Sequence, residues 1–305
     1  MSDADPGPGI RSGFVSLAGR PNVGKSTLVN AIVGRKVAIV SDKPQTTRRA
    51  IRGVATDPVH PPAWQLVLTD LPGVQRPRDA LTQRMQRRVE SELGEADAAL
   101  MLVNGDQGVG GPGDRFIAET LAGASVPVVV AVNKVDRLDH PRTVAALQAT
   151  ADLGLDAEVF PISARTGKGV RALVDHLVGL LPEGPFYFPA DEHSDQSERV
   201  LLAELVREQV LRRTRQEVPH AVEVQVEEIE EDEGLITVRA LLWVETDSQK
   251  GIVIGKGGAM IKAIGTAARK ELERELASRV HLELSVRVRR SWRADDALLD
   301  RLGIT

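Results

Sequence analysis

The chain has 305 residues, with 39 Lys and Arg against 43 Asp and Glu, a formal net charge of −4 and no cysteine. That length suits two domains, and the missing cysteine excludes a disulfide framework and a thiolate zinc site and fits a reducing cytosol. The six histidines (His60, His140, His176, His193, His220 and His281) have no ligand spacing, no apolar stretch approaches a membrane span, and residues 1–12 form a polar tail without the features of a secretion signal.

From Phe14 to Leu181 the pattern alternates between the two regular periodicities. Strands are expected at 14–18, 49–55, 64–69, 98–103, 126–132 and 157–162, and helices at 26–33, 80–93, 114–122, 141–152 and 168–181. Near-continuous apolar runs such as Val126–Val132 suit strands covered on both faces, so the pattern predicts a doubly wound α/β sheet with ligands at the carboxyl ends of its strands.

The first such end carries Gly19-Arg20-Pro21-Asn22-Val23-Gly24-Lys25-Ser26, followed by Thr27. Two glycines five apart, then Lys and Ser, between a strand and a helix, form a P-loop. The glycines let the backbone approach a polyphosphate, the helix N-terminus favours its charge, Lys25 would reach the β- and γ-phosphates, and Ser26 would bind Mg²⁺. The bland alternative, a glycine turn with a chance Lys-Ser, weakens with each motif that follows in order.

Gln45-Thr46-Thr47-Arg48 lies in a polar stretch before the second strand. One threonine hydroxyl there could complete the Mg²⁺ shell when a γ-phosphate is present; Thr47 is favoured, with Thr46 the alternative. Asp70-Leu71-Pro72-Gly73, followed by Val74, ends the third strand. Asp70 can hold Mg²⁺ opposite Ser26 and the Gly73 N–H can meet the γ-phosphate, although alone this would be a Pro-Gly turn. Gly108-Val109-Gly110-Gly111-Pro112-Gly113 is glycine-rich without Lys-Ser and is expected to be a flexible loop. Asn133-Lys134-Val135-Asp136 follows the fifth strand: Asp136 can accept from the guanine N1–H and 2-amino group, Lys134 would cover the base, and Asn133 would tie loops together. Ser163-Ala164-Arg165 follows the sixth strand and offers backbone N–H groups to the guanine O6.

Residues 185–198 are polar, with aromatics and Pro189, and are expected to link a first domain at 13–184 to a second at 199–305. The second half predicts a helix from Glu198 to Arg215, strands at 221–227 and 235–244, a helix reaching about Leu276 and a last strand at 280–289. The acidic run 227–233 is expected to be a solvated hairpin loop. Between strand and helix lies Gly255-Lys256-Gly257-Gly258. This order resembles a bacterial-type (type II) KH module, an α+β fold whose Gly-x-x-Gly loop clamps an RNA backbone, with Lys250, Lys256 and Lys262 placed for phosphate contact. From Lys250 to Arg293 there are eleven Lys and Arg against four Asp and Glu, a basic end on an acidic chain. A glycine turn at a helix start is the bland alternative.

Taken together, the forms Gly19–Thr27 and Pro44–Arg48, the guanine motifs and the Gly-x-x-Gly module make the chain similar to the Era group of GTPases from about Gly13 to the C-terminus. The ending Val280–Leu284 and Trp292 with Asp295-Asp296 share the likeness, and Leu71 departs from it where Thr is usual. The resemblance implies GTP hydrolysis with Mg²⁺, a GTP/GDP cycle, and binding of the 3′ region of 16S ribosomal RNA during small-subunit maturation. It also implies a cytoplasmic monomer with peripheral contact to the inner face of the membrane. Val74 and Asn22 resemble the class whose slow hydrolysis waits on a partner or on K⁺. Two rival functions are a P-loop kinase of a small molecule, against which Asp136 argues, and a C-terminal half serving as a protein or membrane adaptor.

Overall fold

The computed structural model describes residues 9–43, 45–73, 80–215, 217–302 and 304. They form two compact units: residues up to 38, 47–73 and 82–195 make the first, and residues 39–46, 80–81 and 196–304 the second.

The first unit is built on a six-stranded sheet of β1 (Arg11–Gly19), β2 (Ile51–Asp57), β3 (Trp64–Asp70), β4 (Ala98–Asn104), β5 (Val128–Asn133) and β6 (Glu158–Pro161), in the order β2-β3-β1-β4-β5-β6. All neighbours are parallel except β2, which runs antiparallel to β3 at the sheet edge. Side chains alternate between the faces. Leu17, Leu100, Leu102, Val129 and Ala131 pack with α1 (Lys25–Val33) and α5 (Val170–Leu180). Met101, Val103, Val130 and Val132 pack with α2 (Ala80–Gly94), α3 (Pro112–Ala122) and α4 (His140–Ala151). Cover on both faces explains the unbroken apolar runs and leaves the strand ends for chemistry.

Two expectations about the edges of this unit are corrected. Residues 11 and 12 are strand rather than tail: the Arg11 N–H donates to the Ala63 carbonyl at 2.9 Å, and its guanidinium donates to Gly179 and Leu181 at 2.8 and 2.9 Å. The stretch expected to be a linker is fastened down along much of its length. Gln65, fully buried in β3, accepts from the Tyr187 and Phe188 N–H groups at 2.8 and 2.9 Å and donates to the Phe188 carbonyl at 2.8 Å. The Val54 N–H reaches the His193 carbonyl at 2.9 Å. A lone glutamine inside an apolar strand was the available signal, since a buried amide must find partners.

The second unit contains α6 (Glu198–Arg213), α7 (Val218–Ala221), β7 (Glu223–Asp232), β8 (Leu235–Val244), α8 (Asp247–Ile254), α9 (Ala259–Glu275), β9 (Arg279–Val288) and α10 (Asp296–Arg301). Its three-stranded sheet has the order β7-β8-β9, with β7 antiparallel and β9 parallel to β8. Leu202, Leu205 and Val206 of α6 and Ile264, Ala268 and Leu272 of α9 share a core with Val238, Ala240 and Leu242 of β8. The acidic run expected as a loop is strand through Asp232. Only Glu233 and Gly234, with φ of 45° and 77°, form the turn, the geometry a tight hairpin requires. Helix α8 was not foreseen. Its capping box, Thr246 with Gln249 three residues on, was legible in the chain.

Candidate functional site

The P-loop lies between the end of β1 and the start of α1. Gly24 caps α1 with φ of 106°, and a methyl group there would collide with the Asn133 amide. Lys25 is buried and its ammonium donates to the Gly19 and Arg20 carbonyls at 3.1 and 3.3 Å. One helical position on, the Ser26 hydroxyl donates to Asp70 Oδ2 at 2.6 Å. Thr47 Oγ1 lies 3.2 Å from Ser26 Oγ and 3.3 Å from Asp70 Oδ2. Thr46 instead donates to the Lys43 carbonyl at 2.6 Å, so Thr47 is the threonine that faces Ser26.

Asp70 is fully buried and its Oδ1 has no hydrogen-bond partner. Burial raises its pKa, opposed by Lys25, Ser26 and Thr47, while burial lowers that of Lys25, opposed by Asp70. Both charges are held short of compensation, which suits an anion beside Lys25 and a cation beside Asp70. Two hydroxyls and a carboxylate with a spare oxygen are the hard donors that Mg²⁺ takes.

Gly73 comes close to the P-loop: a Cβ there would sit 2.8 Å from Pro21 Cγ, so only glycine fits. Leu71 is buried in the core, and Val74 lies outside the described residues.

The segment 133–136, expected to read a base, is anchored by Asn133. Its amide nitrogen donates to the Val23 carbonyl at 2.8 Å, and its oxygen accepts from the Lys134 and Ala164 N–H groups at 2.8 and 3.0 Å. One side chain thus joins three loops, the tying role the sequence suggested. Lys134, with φ of 69°, donates to the Asn22 carbonyl at 2.7 Å. Asp136 accepts from Ser163 Oγ at 2.7 Å and from Arg165 at 2.6 Å, and these two hydrogen bonds, Ser163 foremost, keep its carboxyl below the usual range.

In the second unit the Gly-x-x-Gly loop joins α8 to α9. Gly255, with φ of 73°, leaves no room for a side chain, since a Cβ would lie 2.7 Å from Met260 Cβ. Gly257 and Gly258 also have positive φ, 58° and 79°. Lys256 and Lys262 are exposed and Lys250 is half-buried. Beyond the loop, α9 and β9 enclose a groove of about 360 Å³, lined by Ile261, Lys262, Thr266, Arg269, His281 and Leu284 among others. Apart from Lys262, sequence reasoning gave these groove residues no role, because spacing does not show which side chains of α9 and of the strand that follows it turn toward one another.

Also unforeseen is a buried charged cluster on α6. Apolar spacing predicted one inward face, yet Glu204, Arg207 and Glu208 are buried too. Arg207 donates to Glu204 at 3.1 and 2.7 Å, lies 3.8 Å from Glu223, and donates to the Thr46 carbonyl. Burial opposes its charge, but Glu204 and Glu223 outweigh that and raise its pKa. Glu208 accepts from the Val40 N–H at 3.0 Å. The second unit therefore holds segment 39–46 through two side chains of one helix.

Among the described residues no helix is long and apolar enough to cross a membrane, and no group of three or more His, Cys, Asp or Glu is placed to hold a metal ion.

Residues 14–134 match the family described as 50S ribosome-binding GTPase, and residues 217–293 match the KH domain. GTPase Era of Mycobacterium bovis (strain BCG / Pasteur 1173P2) is 47% identical over 301 residues, covering 96% of this chain and 99% of the relative. GTPase Era of Mycobacterium sp. (strain KMS) is 46% identical over 300 residues with the same coverage. Among solved structures, Aquifex aeolicus Era Y63A bound to GDP·AlF₄⁻ superimposes with a TM-score of 0.90 at 33% identity, covering 97% of this chain and 99% of that one. Era in complex with MgGDPNP and nucleotides 1506–1542 of 16S ribosomal RNA gives 0.92 at 34% identity with the same coverage.

Proposed function

Because the chain belongs to the Era family of GTPases, we propose that it is a guanine-nucleotide switch whose second unit grips the 3′ region of 16S ribosomal RNA in small-subunit assembly. The observation that carries the switch is the meeting of Ser26, Thr47 and the half-satisfied Asp70 beside buried Lys25. Those three oxygen-bearing side chains would hold Mg²⁺, which supplies charge neutralisation at the transferred phosphoryl group. Lys25 and the Gly73 N–H meet the β- and γ-phosphates. Water attacks the γ-phosphorus in line, the bond to the β–γ bridging oxygen breaks, and GDP and phosphate result. Asp136 reads the guanine N1–H and 2-amino group from the position that Ser163 gives it. Asp136→Asn is expected to move preference from guanine to xanthine nucleotides, measured by competition against labelled GDP; unchanged preference would overturn the assignment and favour the kinase reading.

The RNA half rests on the likeness to an Era solved with 16S ribosomal RNA, together with the glycine loop and groove of this chain. The match described by the large subunit covers residues 14–134 alone, whereas this likeness spans 97% of the chain, which favours the small subunit. Asn22 brings an amide oxygen of the kind K⁺ accepts, and equal phosphate release in sodium and potassium buffers would remove K⁺ from the scheme. The reading extends to a cytoplasmic monomer, for which the support is the family likeness alone. Peripheral contact with the inner membrane face follows from the family likeness and is checked by co-sedimentation with anionic vesicles.

Hydrolysis is coupled to RNA through segment 39–46. Arg207 holds the carbonyl of Thr46, the chain neighbour of Thr47, so release of Thr47 on phosphate loss shifts a segment the second unit grips. Replacing Glu204, Arg207 and Glu223 together by Leu, Met and Leu removes that hold without stranding a buried charge. RNA affinity, measured with a non-hydrolysable GTP analogue and with GDP, is expected to differ in the native chain and to become equal in the variant. A difference that survives would route the coupling elsewhere.

A further inference from the structure

The glycine-rich stretch 108–113, expected to be a flexible loop, is built around one P-loop side chain. Arg20 Nε donates to Asp114 Oδ1 at 2.7 Å, and its terminal nitrogen donates to the Gly108 carbonyl at 3.3 Å. Asp114 is fully buried and takes the Gly110 N–H on its other oxygen at 3.2 Å. Gly113 makes room for the arginine stem, since a Cβ there would lie 2.6 Å from Arg20 Cδ. The carboxylate, the carbonyl and the missing side chain thus all serve Arg20.

The chain just before this stretch meets the base-reading loop. The Gly105 N–H donates to the Asn133 carbonyl at 3.0 Å, and a Cβ on Gly105 would press against Leu138 and Val132 at 3.0 and 3.1 Å. Asp106 pairs with Arg137 at 3.2 Å, one residue beyond Asp136. A carboxylate early in α3 is favoured by the helix dipole, which alone would make Asp114 an ordinary capping residue. That explanation leaves out its full burial, the Gly113 close approach and the second contact at Gly108.

We propose that segment 104–114 is a brace between the phosphate-binding and base-reading loops, with Arg20 and Asp114 as positioning residues for the nucleotide. The inference rests on the nucleotide reading of the site. Arg20 acts through the backbone: its own carbonyl, with that of Gly19, holds the Lys25 ammonium, so fixing its side chain from behind fixes the lysine that meets the phosphates. A loosened P-loop loses contacts to the β-phosphate while leaving the base contacts intact.

The test measures binding of GDP and GMP to the full chain. Arg20→Ala is expected to weaken GDP roughly tenfold and GMP hardly at all, with Arg20→Lys in between. Asp106→Ala is expected to weaken both alike. Because Arg20→Ala strands the buried Asp114 carboxylate, Arg20→Ala with Asp114→Asn is measured beside it, and the same selective loss of GDP is expected at restored thermal stability. Loss of GDP selectivity in neither variant, or an equal loss for GDP and GMP in both, would overturn the brace. Failure of the native chain to bind GDP would instead strike the nucleotide reading itself.

Discussion

The two binding surfaces are made of different material. The candidate nucleotide site gathers glycine-bearing loops at the strand ends around a few side chains, Lys25, Ser26, Thr47, Asp70, Asn133 and Asp136, each with its own polar partners. The α9–β9 groove is lined by side chains of a helix and of the strand that follows it, and the Gly255–Gly258 loop lies at the start of that helix. A site in which each of a few side chains has its own charged or oxygen-donor task concentrates its function in them; a groove lined by many side chains spreads it. Single substitutions should therefore be severe in the first unit and graded in the second.

The largest effect is expected at Lys25. Lys25→Ala removes the charge that the proposed mechanism sets against the transferred phosphate and should lower GTP turnover by about 10²–10³, read from phosphate release at saturating GTP. RNA affinity in the GDP state should stay within about twofold, since the groove is built from other residues. A comparable loss of RNA binding would mean that the two surfaces are not separable in this way.

The converse variant attacks the one part of the second unit that resembles the first. Lys256→Asp with Gly257→Asp puts two carboxylates where an RNA backbone would lie and forces a side chain onto a residue with φ of 58°. RNA affinity should fall about a hundredfold while GTP turnover is unchanged. Retained RNA binding would favour the adaptor reading of this half.

The same contrast explains what was legible beforehand. Gly19, Gly24, Lys25, Ser26, Asp70 and Asn133 are consecutive or fall at strand ends, so spacing alone placed them, and the structure brings them together. The choice between Thr46 and Thr47 needed the Lys43 carbonyl that takes the Thr46 hydroxyl. Arg207 was hidden because period-based reading assigns charged residues to the outer face, whereas α6 is covered nearly all round in its middle turns. The 108–113 loop looked free because glycine content signals both freedom and close approach, and only the Arg20 stem filling the space at Gly113 separates the two. The groove needed the packing of α9 against β9, two consecutive elements whose facing side chains sequence spacing does not reveal.

The smallest effect sharpens the comparison most. Lys262 is exposed on α9 at the groove wall. On the proposed RNA reading Lys262 is one phosphate contact among several, so Lys262→Ala should weaken RNA binding only a few-fold at moderate salt, a change that slight misfolding could imitate. The salt dependence separates the two causes. Loss of a single contact to single-stranded RNA makes the slope of log affinity against log salt shallower by about 0.7, because one fewer counterion is released. General loosening of the groove would lower affinity at every salt concentration and leave the slope alone. A slope change near that value at Lys262, beside no slope change for Ile261→Ala in the same groove, would establish that the second unit divides its grip among separable side chains, in contrast to the all-or-nothing dependence expected at Lys25.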